Sequence, residues 1–184
     1  MGRMELPKGG DVLLRAVDRI AERQGEELVL TMAGDGSARG AWESLASGIQ
    51  SRHRHLSIRF TGWLGEEAKA EMLGKAHLMV VPSLWPEPFG MVGPEAAFYA
   101  VPSVAFDRGG ISEWLRHDEN GWLVHAGTDP ANRLADALEM ALQNRARLRS
   151  WSVQALAGAD RFGWESHVRV LEEVFGEVSR GGRS

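Results

Sequence analysis

The sequence predicts an α/β fold in which a parallel sheet carries helices on both faces. Short apolar runs typical of strands alternate along the chain with longer segments whose apolar residues recur at helical spacing. Turns rich in glycine or proline separate most of these runs from the helical segments. Because alternating strands and helices form βαβ units, the pattern predicts parallel strands whose carboxyl ends share one edge of the sheet.

The first half of the chain begins with a loop that holds Arg3 and Lys8. Asp11 is the predicted N-cap of the first helix, on which apolar residues share one face over residues 12–24. The following elements are a strand over 28–33, a helix over 41–49, a strand over 56–61 and a helix over 66–76.

The stretch from Val80 to Phe106 places two apolar strands around a turn-rich loop and a short helix. Pro94 stands at the predicted first position of that helix, where a missing N–H breaks no hydrogen bond. Beyond it the sequence predicts a short strand in NGWLVHAGTDP, a helix over 130–143, a basic helix and a last helix over 164–178. The last helix carries an apolar stripe of Val168, Leu171, Phe175 and Val178, part of which we expect to be exposed.

Length and composition limit the classes of function. The 184 residues suit one domain, predicted over 1–180 with a disordered tail over 181–184. A net charge of −4 offers no general basic surface for nucleic acid, and no nucleic-acid partner is predicted. The chain has no cysteine, which excludes disulfides and favours a reducing compartment, so we predict a cytoplasmic location. No apolar run approaches the ~20 residues of a membrane span, although contact with a membrane surface stays open.

Two glutamates, Glu87 and Glu95, lie on either side of the predicted start of the short helix. Free backbone N–H groups at a helix start bind anions, whereas carboxylates accept hydrogen bonds from hydroxyl groups. A sugar attached to a phosphate has both kinds of group. The alternative interpretation is a surface glutamate at position 87 and a second one that only suits the helix dipole.

The segment EPFGMVGPE, in which Glu87 and Glu95 stand at the two ends, closely resembles the signature of retaining glycosyltransferases of family 4, which have the GT-B fold. The resemblance implies the Rossmann-like C-terminal half of that fold, which binds the donor. It implies that Glu87 contacts the donor sugar near its anomeric centre and that Glu95 binds the ribose hydroxyl groups. It assigns the diphosphate and the sugar to backbone N–H groups of Phe89, Gly90, Met91 and Val92.

The amino-terminal loop resembles a second motif of the same family. Arg3, Lys8 and Gly9 match its Arg-x4-Lys-Gly loop, in which the arginine and the lysine hold the donor's phosphates. Taken alone, the two cations would be solvated surface residues. In the family a strand central to the sheet precedes this loop. We therefore expect a fragment, a truncated chain or a mis-started gene product that lacks the first strand and the N-terminal acceptor-binding domain.

Further residues are candidate ligand contacts. Gly34 belongs to a turn similar to the family's Gly-x-Gly, although the turn is weak as a dinucleotide fingerprint because the third glycine is absent. The resemblance places Trp63 or Leu64 beside the nucleobase, and a buried Trp63 without a ligand is the alternative. The pair Gly109-Gly110 permits close approach of a ligand or of a neighbouring element.

No metal and no cofactor is predicted. His53 and His55 lie on alternate positions before a strand, but no carboxylate or further histidine is near them in sequence, so a metal site is disfavoured. In the family the phosphates are neutralised mostly by the two cations and not by a metal ion.

The sequence thus predicts the donor-binding domain of a retaining hexosyltransferase that uses a nucleotide diphosphate sugar. Without an acceptor half, the isolated chain is expected to bind the nucleotide sugar but not to transfer the sugar. Two alternatives remain: a GT-B-like phosphorylase or nucleotide-sugar epimerase, and a non-catalytic nucleotide-binding or interaction module. The intact Arg3, Lys8, Glu87 and Glu95 argue against a degenerate copy.

Overall fold

The computed structural model describes residues 1–181, in which five strands alternate with seven α-helices. The strands are β1 (Leu28–Ala33), β2 (Leu56–Gly62), β3 (Met79–Val81), β4 (Ser103–Phe106) and β5 (Gly121–Val124). The helices are α1 (Gly10–Arg23), α2 (Arg39–Arg52), α3 (Glu66–Lys75), α4 (Val92–Ala97), α5 (Pro130–Gln143), α6 (Arg145–Ala159) and α7 (Trp164–Gly181). Three 3-10 turns lie at Leu6–Lys8, Gly110–Glu113 and Asp160–Phe162.

Every strand pair is parallel, which confirms the predicted α/β class. The strands form two sheets, however, and not a single one: β1 pairs with β2, and β3, β4 and β5 form a second sheet. Within the described residues neither β1 nor β3 pairs with a further strand. At the end of β1, Gly2 N donates to Ala33 O at 2.9 Å and Met4 N donates to Asp35 O at 2.8 Å.

The three-stranded sheet has a packed core on each face. Val104 and Phe106 belong to a cluster with α1 and α5, whereas Ala105 belongs to a second cluster with α3 and α4. Alternate strand residues point to opposite faces, so helices cover both faces of this sheet, as predicted. The β1–β2 sheet is covered less completely, because Leu30 packs against the first cluster while Val29, on the opposite face, is 58% exposed.

Two predicted helix starts are wrong by about one half-turn. Helix α1 begins at Gly10, and its N-cap is Gly9 at φ +69°, so Asp11 lies inside the helix and does not cap it. Gly9 fits because a Cβ there would lie 2.0 Å from the carbonyl oxygen of Pro82. Helix α4 begins at Val92, so Pro94 is its third residue. The proline is still tolerated because the N–H groups of a first helical turn have no intrahelical acceptor.

The last helix leaves apolar side chains uncovered, as predicted. Leu171 is 40% exposed, Phe175 65% and Val178 68%, whereas Val168 is partly buried. Helix α7 packs against the preceding 3-10 turn. Of the tail predicted over 181–184, Gly181 ends this helix and residues 182–184 lie outside those described. No helix in the described part of the chain is long and apolar enough to cross a membrane.

Candidate functional site

Three loops meet beyond the carboxyl ends of the strands. The amino-terminal loop is tied to the loop that follows β3, because Leu84 N and Trp85 N donate to Pro7 O at 3.0 and 3.2 Å. The loop that follows β4 joins the same group, because Gly110 N donates to Glu87 O at 2.7 Å. The edge of the sheet at which ligands bind in such folds is therefore built from segments distant in sequence.

Lys8 and Glu87 form the central contact of this surface. Lys8 Nζ donates to Glu87 Oε1 at 2.6 Å, and Glu87 is only 8% exposed. A carboxylate removed from water requires a partner, and the ammonium of Lys8 supplies the opposite charge together with a hydrogen bond. The structure thus brings together two predicted site residues that lie 79 positions apart in the chain.

The glycine pair after β4 supports the loop of Glu87. Gly109 forms a parallel bridge with Glu87, and a Cβ on Gly109, whose φ is +62°, would lie 2.2 Å from Glu87 O. A Cβ on Gly110 would lie 2.3 Å from the carbonyl oxygen of Pro88. The neighbouring element that this glycine pair allows to approach closely is therefore the loop of Glu87.

Hydrogen-bond donors are available between the two glutamates. Within the described residues, the backbone N–H groups at positions 89–92 donate to no protein acceptor. The carbonyl groups of this segment are held from behind: Trp114 Nε1 donates to Phe89 O at 2.6 Å, and Gly93 N donates to Gly90 O at 3.1 Å. A run of free N–H groups on a fixed backbone is an arrangement that binds anions.

Trp114 is a supporting residue that sequence reasoning missed. Its ring is buried, and a Cβ on Gly93 would lie 2.1 Å from that ring. The glycine therefore allows the indole to pack beneath the loop of residues 89–92. The available signal was the position of Trp114 directly after the Gly-Gly-x-x-Glu segment.

Glu95 faces a cation other than Lys8. Lys69 Nζ of α3 is 3.8 Å from Glu95 Oε2 and donates to Glu66 Oε1 at 3.0 Å. The hydrogen bond with Glu66, followed by the attraction of Glu95, raises the pKa of Lys69. Sequence reasoning missed Lys69 because the i, i+3 spacing from Glu66 suggests only an ordinary surface pair.

Arg3 is exposed and is not brought to either glutamate. It forms no ion pair within 4.0 Å in the described part of the chain. Its segment passes the end of β1, where a Cβ on Gly34 would lie 1.8 Å from Gly2 O and a Cβ on Gly36 would lie 2.4 Å from Met4 O. The glycines of this turn therefore admit the backbone of residues 2–4. Arg3 lies at the predicted edge of the sheet but outside the Lys8–Glu87 contact.

Trp63 stands at the end of β2 and is 65% exposed. The alternative of a buried Trp63 is therefore wrong, because this indole reaches solvent and not the core. The adjacent Leu64 is half-buried. The ends of β1 and β2 are joined here, since Gly34 N donates to Gly62 O at 2.7 Å.

His53, before β2, has carboxylate neighbours that its sequence context did not show. His53, Asp18 and Glu22 offer ligand atoms within 4.8 Å of one another. Asp18 is already engaged, because His53 Nε2 lies 2.9 Å from its Oδ1 and Arg52 Nη2 donates to both of its oxygens. The cluster is an ion-pair network between α1 and α2, and the absence of a metal stays a prediction.

Comparison with known proteins identifies the family. The family described as glycosyl transferases group 1 matches residues 1–144, more than half of the chain. The chain belongs to this family. The D-inositol 3-phosphate glycosyltransferase of Corynebacterium diphtheriae is 32% identical over 184 residues, which cover 97% of this chain and 42% of that protein. This chain thus spans less than half the length of that relative.

Solved structures support the GT-B fold of this chain. The structure of Anabaena HepE in complex with UDP and glucose superposes with a TM-score of 0.77 at 21% identity and covers 96% of this chain and 47% of that one. The C-terminal domain of a group 1 glycosyl transferase from Francisella tularensis superposes with a TM-score of 0.72 at 20% identity and covers 86% and 80% of the two chains. The chain therefore has the fold of a GT-B C-terminal domain.

Proposed function

We propose that this glycosyltransferase domain binds the donor in a retaining reaction of the family 4 type. The donor is a nucleotide diphosphate sugar, and a hexose passes to an acceptor. The observation that carries the proposal is the 2.6 Å contact between Lys8 and the buried Glu87, directly beside the free N–H groups of residues 89–92. A cation, a carboxylate and an anion-binding backbone in one place suit a sugar joined to a diphosphate.

The slow step is departure of the nucleotide diphosphate. The bond between the anomeric carbon and the β-phosphate oxygen breaks, and its electron pair stays on that oxygen. The oxygen of the acceptor hydroxyl group bonds to the same face of the sugar, and the hydroxyl proton passes to the departing phosphate. Lys8, Arg3 and the N–H groups of residues 89–92 stabilise the negative charge that grows on the leaving oxygen. Glu87 lies beside the sugar, where positive charge develops on the ring. No metal ion or cofactor takes part in the proposed step.

The nucleoside half of the donor lies toward β2 and α3. Glu95 accepts hydrogen bonds from the ribose hydroxyl groups, and the exposed Trp63 and the neighbouring Leu64 contact the base. Gly34 ends the strand beside them. The HepE structure holds UDP and glucose, which supports a nucleotide-sugar donor for this fold.

Transfer requires an acceptor-binding half in addition to this domain. The relatives are more than twice as long as the stretch they share with this chain, and the apolar stripe of α7 is exposed here. We propose that this stripe contacts such an N-terminal half. The 184 residues by themselves then bind the nucleotide sugar without transferring the sugar, and the cytoplasmic location stays a prediction.

Isothermal titration calorimetry of the folded chain with UDP, GDP, ADP and their sugars tests the proposal. We expect binding of one nucleotide family, weakened about tenfold or more by Lys8→Met, since a charge-assisted contact with the diphosphate is lost. Lys75→Met is the matched control, because Lys75 is an exposed lysine whose ion pair within the described residues is with Glu71 of its own helix. A folded sample that binds none of these nucleotides would contradict the proposal.

A further inference from the structure

We propose that Lys69 is a positioning residue for Glu95: its ammonium holds the carboxylate in the orientation that receives the ribose hydroxyl groups. This inference rests on the proposed function, which assigns Glu95 to the ribose. It adds a residue from α3, outside every motif that the sequence suggested. Lys69 itself touches neither the sugar nor the phosphates in this proposal.

The first argument is geometric. Lys69 Nζ lies 3.8 Å from Glu95 Oε2 and 3.0 Å from Glu66 Oε1, so the ammonium bridges α3 and α4. The contact uses one oxygen of Glu95 at ion-pair distance and leaves the other oxygen to accept from a hydroxyl group. With Lys69 in place, fewer orientations of the Glu95 carboxylate remain, and ribose binding then loses less conformational entropy.

The second argument is burial. The side chain of Lys69 is only 20% exposed, and that of Glu95 is 38% exposed. The other lysine pair on α3, Lys75 with Glu71, has side chains that are 74% and 66% exposed. The Lys75–Glu71 pair therefore stays in water, whereas most of the Lys69 side chain is withdrawn from it. Attraction is stronger where less water intervenes, so the pair with Glu95 restrains geometry more than a surface pair does.

One other cation faces Glu95. The amino group of Met1 interacts electrostatically with the Glu95 carboxylate. Burial lowers the pKa of this amino group, and the charge of Glu95 acts in the opposite direction. Lys69 is the side-chain cation within 4.0 Å of Glu95 in the described part of the chain. A substitution at position 69 therefore tests the contact without altering the amino terminus.

The test compares nucleotide affinities of the folded chain by calorimetry. The nucleoside diphosphate that binds the unaltered chain is titrated into Lys69→Met, Lys69→Arg, Glu95→Gln, the Lys69→Met/Glu95→Gln double variant and the control Lys75→Met. We expect Lys69→Met to weaken binding about tenfold and Lys69→Arg to restore most of it. In the Glu95→Gln background, Lys69→Met should weaken binding less than about twofold, because the carboxylate it positions is gone. The 2′-deoxy nucleotide should show a smaller loss from Lys69→Met than the ribonucleotide.

The outcomes separate this inference from the proposed function. Suppose that the nucleotide binds the unaltered chain, and that Glu95→Gln weakens this binding while Lys69→Met does not. The positioning role of Lys69 is then overturned, whereas the proposed donor binding stands. An equal loss from Lys69→Met with and without Glu95 would show that Lys69 acts on the nucleotide directly, which also overturns the inference. If no nucleotide binds the unaltered chain, both proposals fail. Circular dichroism and thermal melting of each variant exclude unfolding as the cause of a loss.

Discussion

Lys8 and Glu87 lie 79 positions apart in the chain, yet their charged atoms are 2.6 Å from each other. Glu87 is nearly buried, while Lys8 keeps 30% of its side chain exposed at the surface where the three loops meet. The pair therefore links the first loop of the domain to the loop after β3. In the proposed donor complex, the exposed part of this lysine contacts the diphosphate.

Lys8→Ala should abolish most of the activity of a complete enzyme that contains this domain. We expect kcat to fall by at least about 100-fold, because loss of one group that stabilises charge on the leaving diphosphate has effects of this size. The measurement is steady-state transfer from the nucleotide sugar, with Lys75→Ala as the control. Near-normal turnover from the folded Lys8 variant would remove this residue from the proposed mechanism.

Gly109→Ala should destabilise the domain. The substitution adds a methyl group 2.2 Å from Glu87 O at a φ of +62°, so the loop of Glu87 must shift. We expect a loss of about 1–3 kcal/mol in the free energy of unfolding, measured by urea denaturation, together with weaker nucleotide binding. Gly48→Ala is the control: it adds a methyl group in open space within α2 and should leave stability unchanged or slightly higher. Equal stability of the Gly109 and Gly48 variants would contradict the close approach.

Glu139 should contribute to loss of stability in acid. The hydrogen bond from Gln24, followed by that from Arg23, lowers the pKa of Glu139 below its usual 4.5. A carboxyl group whose folded pKa is lowered stabilises the fold above its unfolded pKa, and this contribution is lost as the pH falls through the folded pKa. Glu139→Gln should therefore lose less stability than the unaltered chain between about pH 5 and pH 3.

The measurement for Glu139 is the midpoint of urea unfolding at a series of pH values. Glu67→Gln, at an exposed position of α3, serves as the control. Identical pH profiles for Glu139→Gln and the unaltered chain would show that the contacts between α1 and α5 do not contribute to acid sensitivity.

Trp63→Ala should weaken nucleotide binding about tenfold, which corresponds to loss of one stacking contact between an aromatic ring and a base. Trp164→Ala is a matched control, because Trp164 is 78% exposed but lies at the start of α7. Calorimetry measures the nucleotide affinity of both variants. Quenching of tryptophan fluorescence by the nucleotide should be largely lost in the Trp63 variant but kept in the Trp164 variant. Equal nucleotide affinities of the Trp63 and Trp164 variants would contradict the proposed contact between Trp63 and the nucleobase.

The sequence by itself determined the alternation of strands and helices, down to the bounds of β1 and α5, and the position of both glutamates around the short helix. Those features follow from local periodicity and from turn residues, which a single stretch of chain contains. It also carried the family resemblance, since the motif around Glu87 and Glu95 is contiguous.

Only the tertiary structure decided which cation meets which carboxylate. Lys8 contacts Glu87, Lys69 contacts Glu95, and Arg3 contacts neither glutamate. The sequence alone does not show which carboxylate each of these cations meets. The division into two sheets and the packing of Trp114 behind the loop were decided in the same way. Such pairings depend on how close distant loops come when the core packs, and no local pattern of residues encodes that distance.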